Sequence, residues 1–286
     1  MKTRRYIVLA AALMLICTGG WPLVRQTAPA AAESTPELAA NGTSELAVES
    51  SAEPDSSSLN AEDHTIQVNG VTLYYETAGT GKPVLLIHGN GGDHSSFSAE
   101  ISQLAASGYM VYAPDTRGQG QNQPEEEYHY ADLAEDMYQL ISELGLDHPA
   151  CYGWSDGGII GLLLEIRHPG TLSLLAISGA NLYPSGIDDD VLEYIREDYE
   201  DTGNPLEKMV LEEPDIDPAD LSRISIPVLV TAGSDDIIKP EHTQLIADSI
   251  PDSELKIIDD EDHGSYIEDS PIAGRLLISF LQEHGY

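Results

Sequence analysis

Basic residues are scarce in this sequence of 286 residues, which has 13 Lys plus Arg against 49 Asp plus Glu and a formal net charge of −36. A surface that binds nucleic acid needs clustered Lys and Arg to neutralise phosphates. The composition therefore predicts no nucleic-acid partner, and it argues equally against docking on an anionic membrane through a basic patch.

Cysteines and aromatic residues are also few. Of the two cysteines, Cys17 lies in a segment that cleavage of a signal peptide would remove, and this would leave Cys151 without an intramolecular partner. No disulfide framework is expected. Aromatic residues make up 6% of the chain, but apolar residues make up 41%, which suits a globular domain with a full core.

The N-terminal residues 1–32 have the pattern of a targeting segment. Lys2, Arg4 and Arg5 precede an apolar run over residues 6–17, as in a signal peptide. If residues 21–24 are added, the run approaches the roughly 20 residues that span a bilayer. An uncleaved membrane anchor is therefore the alternative to a cleaved signal. Both predict export, with the protein either secreted or held at the outer face of the cytoplasmic membrane by this segment alone.

Residues 33–61 differ in composition from the rest of the chain. They are rich in Ala, Ser, Glu, Pro and Thr, contain no Lys or Arg, and show no apolar periodicity. Such a segment cannot bury enough surface to offset the entropy of ordering it, so we expect a disordered acidic tether. The folded domain is predicted over residues 62–286.

Strand-like and helix-like segments alternate along this domain. Asn69-Gly70 between two β-rich runs predicts a hairpin. Continuous apolar runs at 84–87 and 228–230 are typical of parallel strands buried on both faces, whereas residues 130–144 have helical spacing. We predict an α/β domain with a mostly parallel sheet. The acidic segment at about 183–224 interrupts the alternation and is predicted to form a short lid over the C-terminal edge of the sheet.

The most specific motif is Gly153-Trp154-Ser155-Asp156-Gly157, a G-x-S-x-G sequence between a strand and an apolar helix. In this context the turn is too tight for larger residues, and it exposes the serine hydroxyl above the sheet. The helix that follows directs its positive N-terminus at a developing oxyanion. We predict that Ser155 is a nucleophile; the alternative is a flexible Gly/Ser loop.

A serine nucleophile needs a base and an orienting acid, which on such a sheet follow in the order Ser, acid, His. Asp236 comes three residues after Gly233, just beyond a predicted strand, and is the expected acid, with Asp235 as the alternative. His263 follows the last strand and is the expected base, whereas His88 suits a structural role. Six other histidines are expected in surface or capping roles: His64, His129, His148, His168, His242 and His284.

The acidic run at residues 259–262 should favour the protonated imidazole, so we expect a raised pKa of His263 and an activity optimum shifted to alkaline pH. The N–H groups of Asn90 and Asp156 are the expected oxyanion hole. The Gly-rich loop at 88–92 is not a phosphate cradle, because no G-x-x-x-x-G-K pattern follows.

Four residues are candidates for the substrate pocket: His94, Trp154, Asp156 and Tyr183. The Asp156 carboxylate could select a substrate amino group; alternatively, it could only interact favourably with the helix dipole. Trp154 could equally be part of the core.

Several motifs together resemble the α/β-hydrolase superfamily, in its order and roughly its spacing across residues 64–286. They are His88-Gly89-Asn90-Gly91-Gly92, Ala113-Pro114-Asp115-Thr116-Arg117-Gly118, Gly153-Trp154-Ser155-Asp156-Gly157-Gly158, Gly233-x-x-Asp236 and His263. The elbow motif together with residues 178–181 is similar to the esterase and valacyclovir-hydrolase-like branch. The resemblance implies an eight-stranded sheet with helices on both faces, a Ser155–His263–Asp236 triad, and no cofactor or metal. Gln119 stands where relatives often have His, and the lid is shorter than in many relatives.

The combined expectation is an exported serine hydrolase that cleaves a small carboxylic ester, or an amide, through an acyl-enzyme. Its acidity predicts a preference for neutral or cationic esters over anionic ones. Two alternatives stay open. The same triad could act on a lactone or a carbon–carbon bond or perform cofactor-free perhydrolysis, or the chain could be a catalytically silent, surface-tethered binding protein.

Overall fold

The computed structural model describes residues 60–286. The predicted targeting segment and nearly all of the predicted tether lie outside these residues, so both stay predictions. The first strand of the domain begins at Glu62. No helix within residues 60–286 has the length and apolar character needed to cross a membrane.

A single eight-stranded sheet organises the described part of the chain, in the order β1-β2-β4-β3-β5-β6-β7-β8. The strands are β1 Glu62–Val68, β2 Val71–Gly79, β3 Lys82–Ile87, β4 Tyr109–Pro114, β5 Ala150–Trp154, β6 Leu174–Ser178, β7 Val228–Gly233 and β8 Ser253–Ile258. β2 pairs antiparallel with β1 and β4, and all other pairs are parallel. The predicted fold class is confirmed, and Asn69-Gly70 joins β1 to β2 as a hairpin.

Seven α-helices accompany the sheet in residues 60–286. They are α1 Ser98–Ala106, α2 Tyr130–Glu143, α3 Asp156–Arg167, α4 Asp189–Thr202, α5 Pro205–Glu212, α6 Pro240–Ser249 and α7 Ile272–Glu283. Side chains of α2, α3 and α6 belong to one apolar cluster, and those of α1 and α7 belong to another. Along β3, Leu85 and Ile87 join the first cluster, and Val84 and Leu86 join the second. Such a strand is apolar throughout because both of its faces are covered.

The segment between β6 and β7 contains α4, α5 and two short 3₁₀ turns, at Pro184–Gly186 and Pro218–Arg223. A small cluster that includes Ile187, Val191 and Ile238 packs the start of this segment against the loop after β7. Because that loop also carries Asp236, the segment predicted as a lid is attached close to the predicted acid.

Candidate active site

Ser155 occupies a sharp turn between β5 and α3, with φ 54° and ψ −115°. A positive φ is costly for a residue other than glycine and marks a conformation that the surrounding structure enforces. A Cβ atom on Gly153 would lie 2.1 Å from the Gly157 carbonyl oxygen, and one on Gly157 would lie 1.8 Å from that of Ile87. Only glycine fits at these two positions, which explains the motif sterically.

The structure brings Ser155, His263 and Asp236 into one hydrogen-bonded line. Nε2 of His263 lies 3.0 Å from Ser155 Oγ, and Nδ1 lies 2.7 Å from Asp236 Oδ1. The same Asp236 oxygen accepts the Ile238 N–H at 2.9 Å. Since a carboxylate accepts from Nδ1–H, the lone pair of Nε2 faces the serine hydroxyl. Asp235, the alternative acid, is exposed.

His263 is buried, and burial by itself would lower its pKa. The negative charges of Asp236, Asp262 and Asp156 more than offset this, so the pKa of His263 is raised above its usual 6.5. The direction agrees with the sequence-based expectation, but the main source is Asp236 rather than the acidic run before His263. The raised pKa places the loss of the neutral base at a higher pH than for a free histidine.

The backbone of the loop after β3 passes beside the nucleophile. A Cβ atom on Gly89 would lie 3.2 Å from Ser155 Cβ, and Asn90 is the next residue. Asp156 is the first residue of α3, so its N–H has no acceptor within the helix. These two N–H groups, at the positive end of α3, are the candidate oxyanion donors.

His88 lies beneath this loop and is almost fully buried. Its Nε2 accepts the Thr116 N–H at 2.9 Å, so the ring proton is on Nδ1 and is donated to the Gly89 carbonyl oxygen at 2.7 Å. Burial lowers the pKa of His88. The neutral ring therefore links β3 to the loop after β4, the structural role expected of it.

The Asp156 side chain is 4% exposed. Its Oδ1 accepts the Tyr130 hydroxyl at 2.7 Å, and its Oδ2 accepts the Asn90 amide at 2.9 Å. Burial raises the pKa of Asp156, and the two donors counteract this effect. Each oxygen therefore accepts one hydrogen bond from the protein, and little of the side chain is exposed to solvent.

The other candidate pocket residues have different surroundings. Trp154 is buried and donates its indole N–H to the His263 carbonyl oxygen at 2.9 Å, so it supports the histidine loop. His94 bonds to Asp115 through Nδ1 at 2.7 Å and packs against Tyr74. Tyr183 packs edge-on against His242, 4.6 Å between ring centroids. Of these residues, Trp154 is the one that the structure places in contact with the triad.

The expectation of a surface or capping role for His242 is wrong. This residue of α6 is only 4% exposed, and its Nε2 accepts the Leu182 N–H at 2.8 Å. Burial lowers its pKa. A Cβ atom on Gly186 would lie 2.7 Å from the ring, so the 3₁₀ turn at the start of the predicted lid folds directly over this histidine.

Sequence reasoning did not find a buried network of hydroxyl groups under the triad. Thr231 donates to the Ile177 carbonyl oxygen at 3.2 Å, and Ser178 Oγ lies 2.5 Å from Thr231 Oγ1. The hydroxyls of Tyr152 and Tyr266 lie 2.9 Å from Ser178 Oγ and 3.3 Å from Thr231 Oγ1. Because Thr231 gives its one proton to the Ile177 carbonyl oxygen, Ser178 and Tyr266 donate to Thr231 Oγ1, and Tyr152 in turn donates to Ser178 Oγ. The network links β5, β6, β7 and the loop after His263.

A cleft of about 540 Å³ opens beside the oxyanion loop. It begins at Gly91, directly after Asn90, and extends to residues 204–206 at the start of α5. Two carboxylates, Asp93 and Glu125, are among the described residues that line it, and no Lys or Arg is among them. The cleft therefore presents negative charge near the candidate oxyanion hole.

One group of side chains within residues 60–286 has the donor types of a metal site: Asp93, His94 and Asp115. Asp115 is fully buried, and its oxygens already accept N–H groups from His94 and Gln121 at 2.7–2.8 Å. Asp93 accepts the N–H and the hydroxyl of Ser95 instead. The hydrogen bonds to Asp115 tie His94 to the turn after β4.

Comparisons with known proteins agree with this geometry. A family model described as the alpha/beta hydrolase fold matches residues 82–205. "Serine hydrolase BPHL" from Homo sapiens is 28% identical over 248 residues, which are 76% of this chain and 85% of that protein. An esterase structure from Thermogutta terrifontis has a TM-score of 0.64 at 23% identity and covers 78% of this chain and 99% of its own. An Exiguobacterium antarcticum esterase has a TM-score of 0.68 at 21% identity and covers 77% and 100%.

Proposed function

We propose that this chain, which has the α/β-hydrolase fold and matches that family's model over residues 82–205, is a serine hydrolase of the superfamily that cleaves small carboxylic esters or amides. The observation that carries the proposal is the line from Ser155 Oγ through His263 to Asp236, with contacts of 3.0 and 2.7 Å. A strained serine beside two backbone donors has no evident structural purpose, whereas acyl transfer uses each of these parts.

The reaction follows from the positions of the groups. Ser155 Oγ attacks the carbonyl carbon of the ester while His263 Nε2 takes its proton. The negative charge that develops on the carbonyl oxygen is stabilised by the N–H groups of Asn90 and Asp156. His263 then gives the proton to the leaving alcohol. Water, deprotonated by the same nitrogen, attacks the acyl-enzyme, the bond to Ser155 Oγ breaks as His263 returns the proton to that oxygen, and the carboxylic acid is released. Asp236 stabilises the imidazolium in both halves of the reaction.

We further propose that neutral or cationic esters are preferred to anionic ones. The carboxylates of Asp236, Asp262 and Asp156 act on the catalytic histidine, and Asp93 and Glu125 line the adjacent cleft. These carboxylates would repel a substrate carboxylate. Because a cleft lined by charge of one sign creates a potential that extends beyond direct contact, the repulsion would act before the substrate binds.

Labelling with a fluorophosphonate tests the nucleophile. We expect the full chain to be labelled at Ser155 and the Ser155→Ala variant to remain unlabelled and to lose ester hydrolysis. A folded wild-type protein that is not labelled at Ser155 would support the binding-protein alternative instead. Matched neutral, cationic and anionic p-nitrophenyl esters, together with lactones and amides, would then identify the bond and the preferred charge.

A further inference from the structure

The carboxylate next to the nucleophile is held by two neutral donors from distant parts of the chain. The Tyr130 hydroxyl, at the start of α2, donates to Asp156 Oδ1 at 2.7 Å. The Asn90 side-chain amide donates to Asp156 Oδ2 at 2.9 Å. Tyr130 is 1% exposed and Asp156 is 4% exposed. We call these three side chains the Asp156 brace.

The brace joins the two residues whose backbone N–H groups form the candidate oxyanion hole. Asn90 lies on the loop after β3, and Asp156 lies 66 residues later at the start of α3. The separation of the two N–H groups depends on how these segments sit against each other, and the side-chain bond between the same residues fixes it. Oxyanion donors are effective only when held close to the position of the charge.

The backbone of Tyr130 is held by a second contact, with Glu213. Its backbone N–H donates to Glu213 Oε2 at 3.1 Å, and Oε1 of the same carboxylate lies 2.6 Å from His129 Nδ1. Glu213 directly follows α5 of the predicted lid. The brace therefore connects the end of this segment to the residue after the nucleophile.

Packing alone does not explain a carboxylate at this position. Burying an ionised carboxylate is costly, and pairing with a cation is the usual compensation. Its two hydrogen-bond partners are uncharged, and the positive charge that acts on it is that of protonated His263, which is not one of its hydrogen-bond partners. A neutral side chain would satisfy the helix N-terminus at lower cost. What the carboxylate adds is two charge-assisted hydrogen bonds, which are shorter and stronger than neutral ones.

We propose that Tyr130, Asp156 and the Asn90 side chain are positioning residues that set the spacing of the two oxyanion donors. This inference rests on the proposed serine-hydrolase function and specifies which side chains organise its oxyanion hole.

A reciprocal exchange tests the bond between Asn90 and Asp156. Asn90→Asp alone retains the backbone N–H but opposes two carboxylates, and we expect kcat for a neutral p-nitrophenyl ester to fall about 100-fold with KM nearly unchanged. Combining it with Asp156→Asn restores an amide–carboxylate pair in reverse and should recover kcat to within about 10-fold of wild type. Rescue of this kind requires that the hydrogen bond itself is what matters.

Tyr130→Phe removes the other donor and should lower kcat about 10-fold, again with little change in KM. The inhibition constant of an aryl trifluoromethyl ketone, which forms a tetrahedral adduct on Ser155, should rise by the same factor. Tyr138→Phe is the matched control, because Tyr138 lies on the same helix and stacks on His168 away from the site. It should change neither quantity.

Four outcomes would overturn the inference. The first outcome is that the variants of Tyr130 and Asn90 unfold at lower temperature but keep the wild-type kcat, because the two side chains would then have only a structural role. The second is an exchange without rescue, and the third is an Asp156→Asn variant that loses activity on ammonium-bearing esters but not on neutral ones of equal size. The fourth is a wild-type chain that is unlabelled at Ser155 by a fluorophosphonate, which refutes the proposed function as well, whereas in the first three cases labelling persists.

Discussion

Glu100 should make the stability of this protein depend strongly on pH. The side chain lies on α1 at 0% exposure, and neither carboxylate oxygen accepts a hydrogen bond from another residue within residues 60–286. Burial, with a smaller contribution from Asp269, raises the pKa of Glu100 from 4.5 to about 8. The ionised form is therefore the costly one in the folded state.

The sign follows from proton binding. Between pH 4.5 and about 8 the folded chain keeps the Glu100 proton, whereas the unfolded chain loses it. Stability consequently falls as pH rises, by about 1.4 kcal/mol per pH unit within this window. The penalty is absent below the unfolded pKa and complete above the folded one. From pH 5 to pH 9 it amounts to about 4 kcal/mol, a large part of the usual 5–15 kcal/mol of a domain.

The Glu100→Gln variant removes the ionisation with little change in shape. We expect its free energy of unfolding in urea to be close to that of wild type at pH 5 and to exceed it by about 4 kcal/mol at pH 9. The control is Glu200→Gln, which makes the same charge change at an exposed position of α4. The difference between its free energy of unfolding and that of wild type should not change with pH. If the gap between Glu100→Gln and wild type is the same at every pH from 5 to 9, the reasoning fails.

Three further predictions concern the site and its support. The rising limb of kcat/KM against pH should have its inflection above pH 6.5, because only neutral His263 acts as the base and its pKa is raised. The Asp236→Asn variant should move this inflection to lower pH and reduce kcat about 10⁴-fold. An unshifted inflection would contradict this. Thr231→Val leaves buried hydroxyls without their acceptor and should cost about 2 kcal/mol in urea unfolding; a loss below about 0.5 kcal/mol would refute the network. Gly157→Ala places a Cβ atom 1.8 Å from the Ile87 carbonyl oxygen, so we expect loss of soluble folded protein or of at least about 3 kcal/mol, and a fully stable variant would contradict it.

Features that depend on local pattern were predictable from the sequence. The apolar run of β3, the Asn69-Gly70 hairpin and the two glycines around Ser155 each have a local physical reason. The order of Ser155, Asp236 and His263 along the chain was sufficient to propose three residues that the structure brings together. In each of these cases the residue types themselves determine the local backbone conformation or the burial that the structure shows.

Helix α6 is an element that the local sequence pattern did not predict. The sequence pattern did not predict a helix over Pro240–Ser249, since its buried face includes His242 and Thr243 beside Ile246 and Ala247. An apolar periodicity search does not count the two polar residues. The reason that His242 is buried, an amide donated by Leu182, belongs to another element 60 residues away and has no trace in the local pattern.

The role of Asp156 likewise depends on contacts with distant residues that the local sequence pattern does not show. From sequence, a carboxylate beside the nucleophile could select a substrate ammonium group or interact with the helix dipole, and local spacing does not separate these possibilities. The structure supplies a third, because Tyr130 and Asn90 come from 26 and 66 residues away and engage both oxygens. The side chain is only 4% exposed, so these two internal hydrogen bonds, rather than contact with solvent, define its surroundings. If esters bearing an ammonium group are preferred, Asp93 and Glu125 in the adjacent cleft are further carboxylates that the structure offers for the attraction.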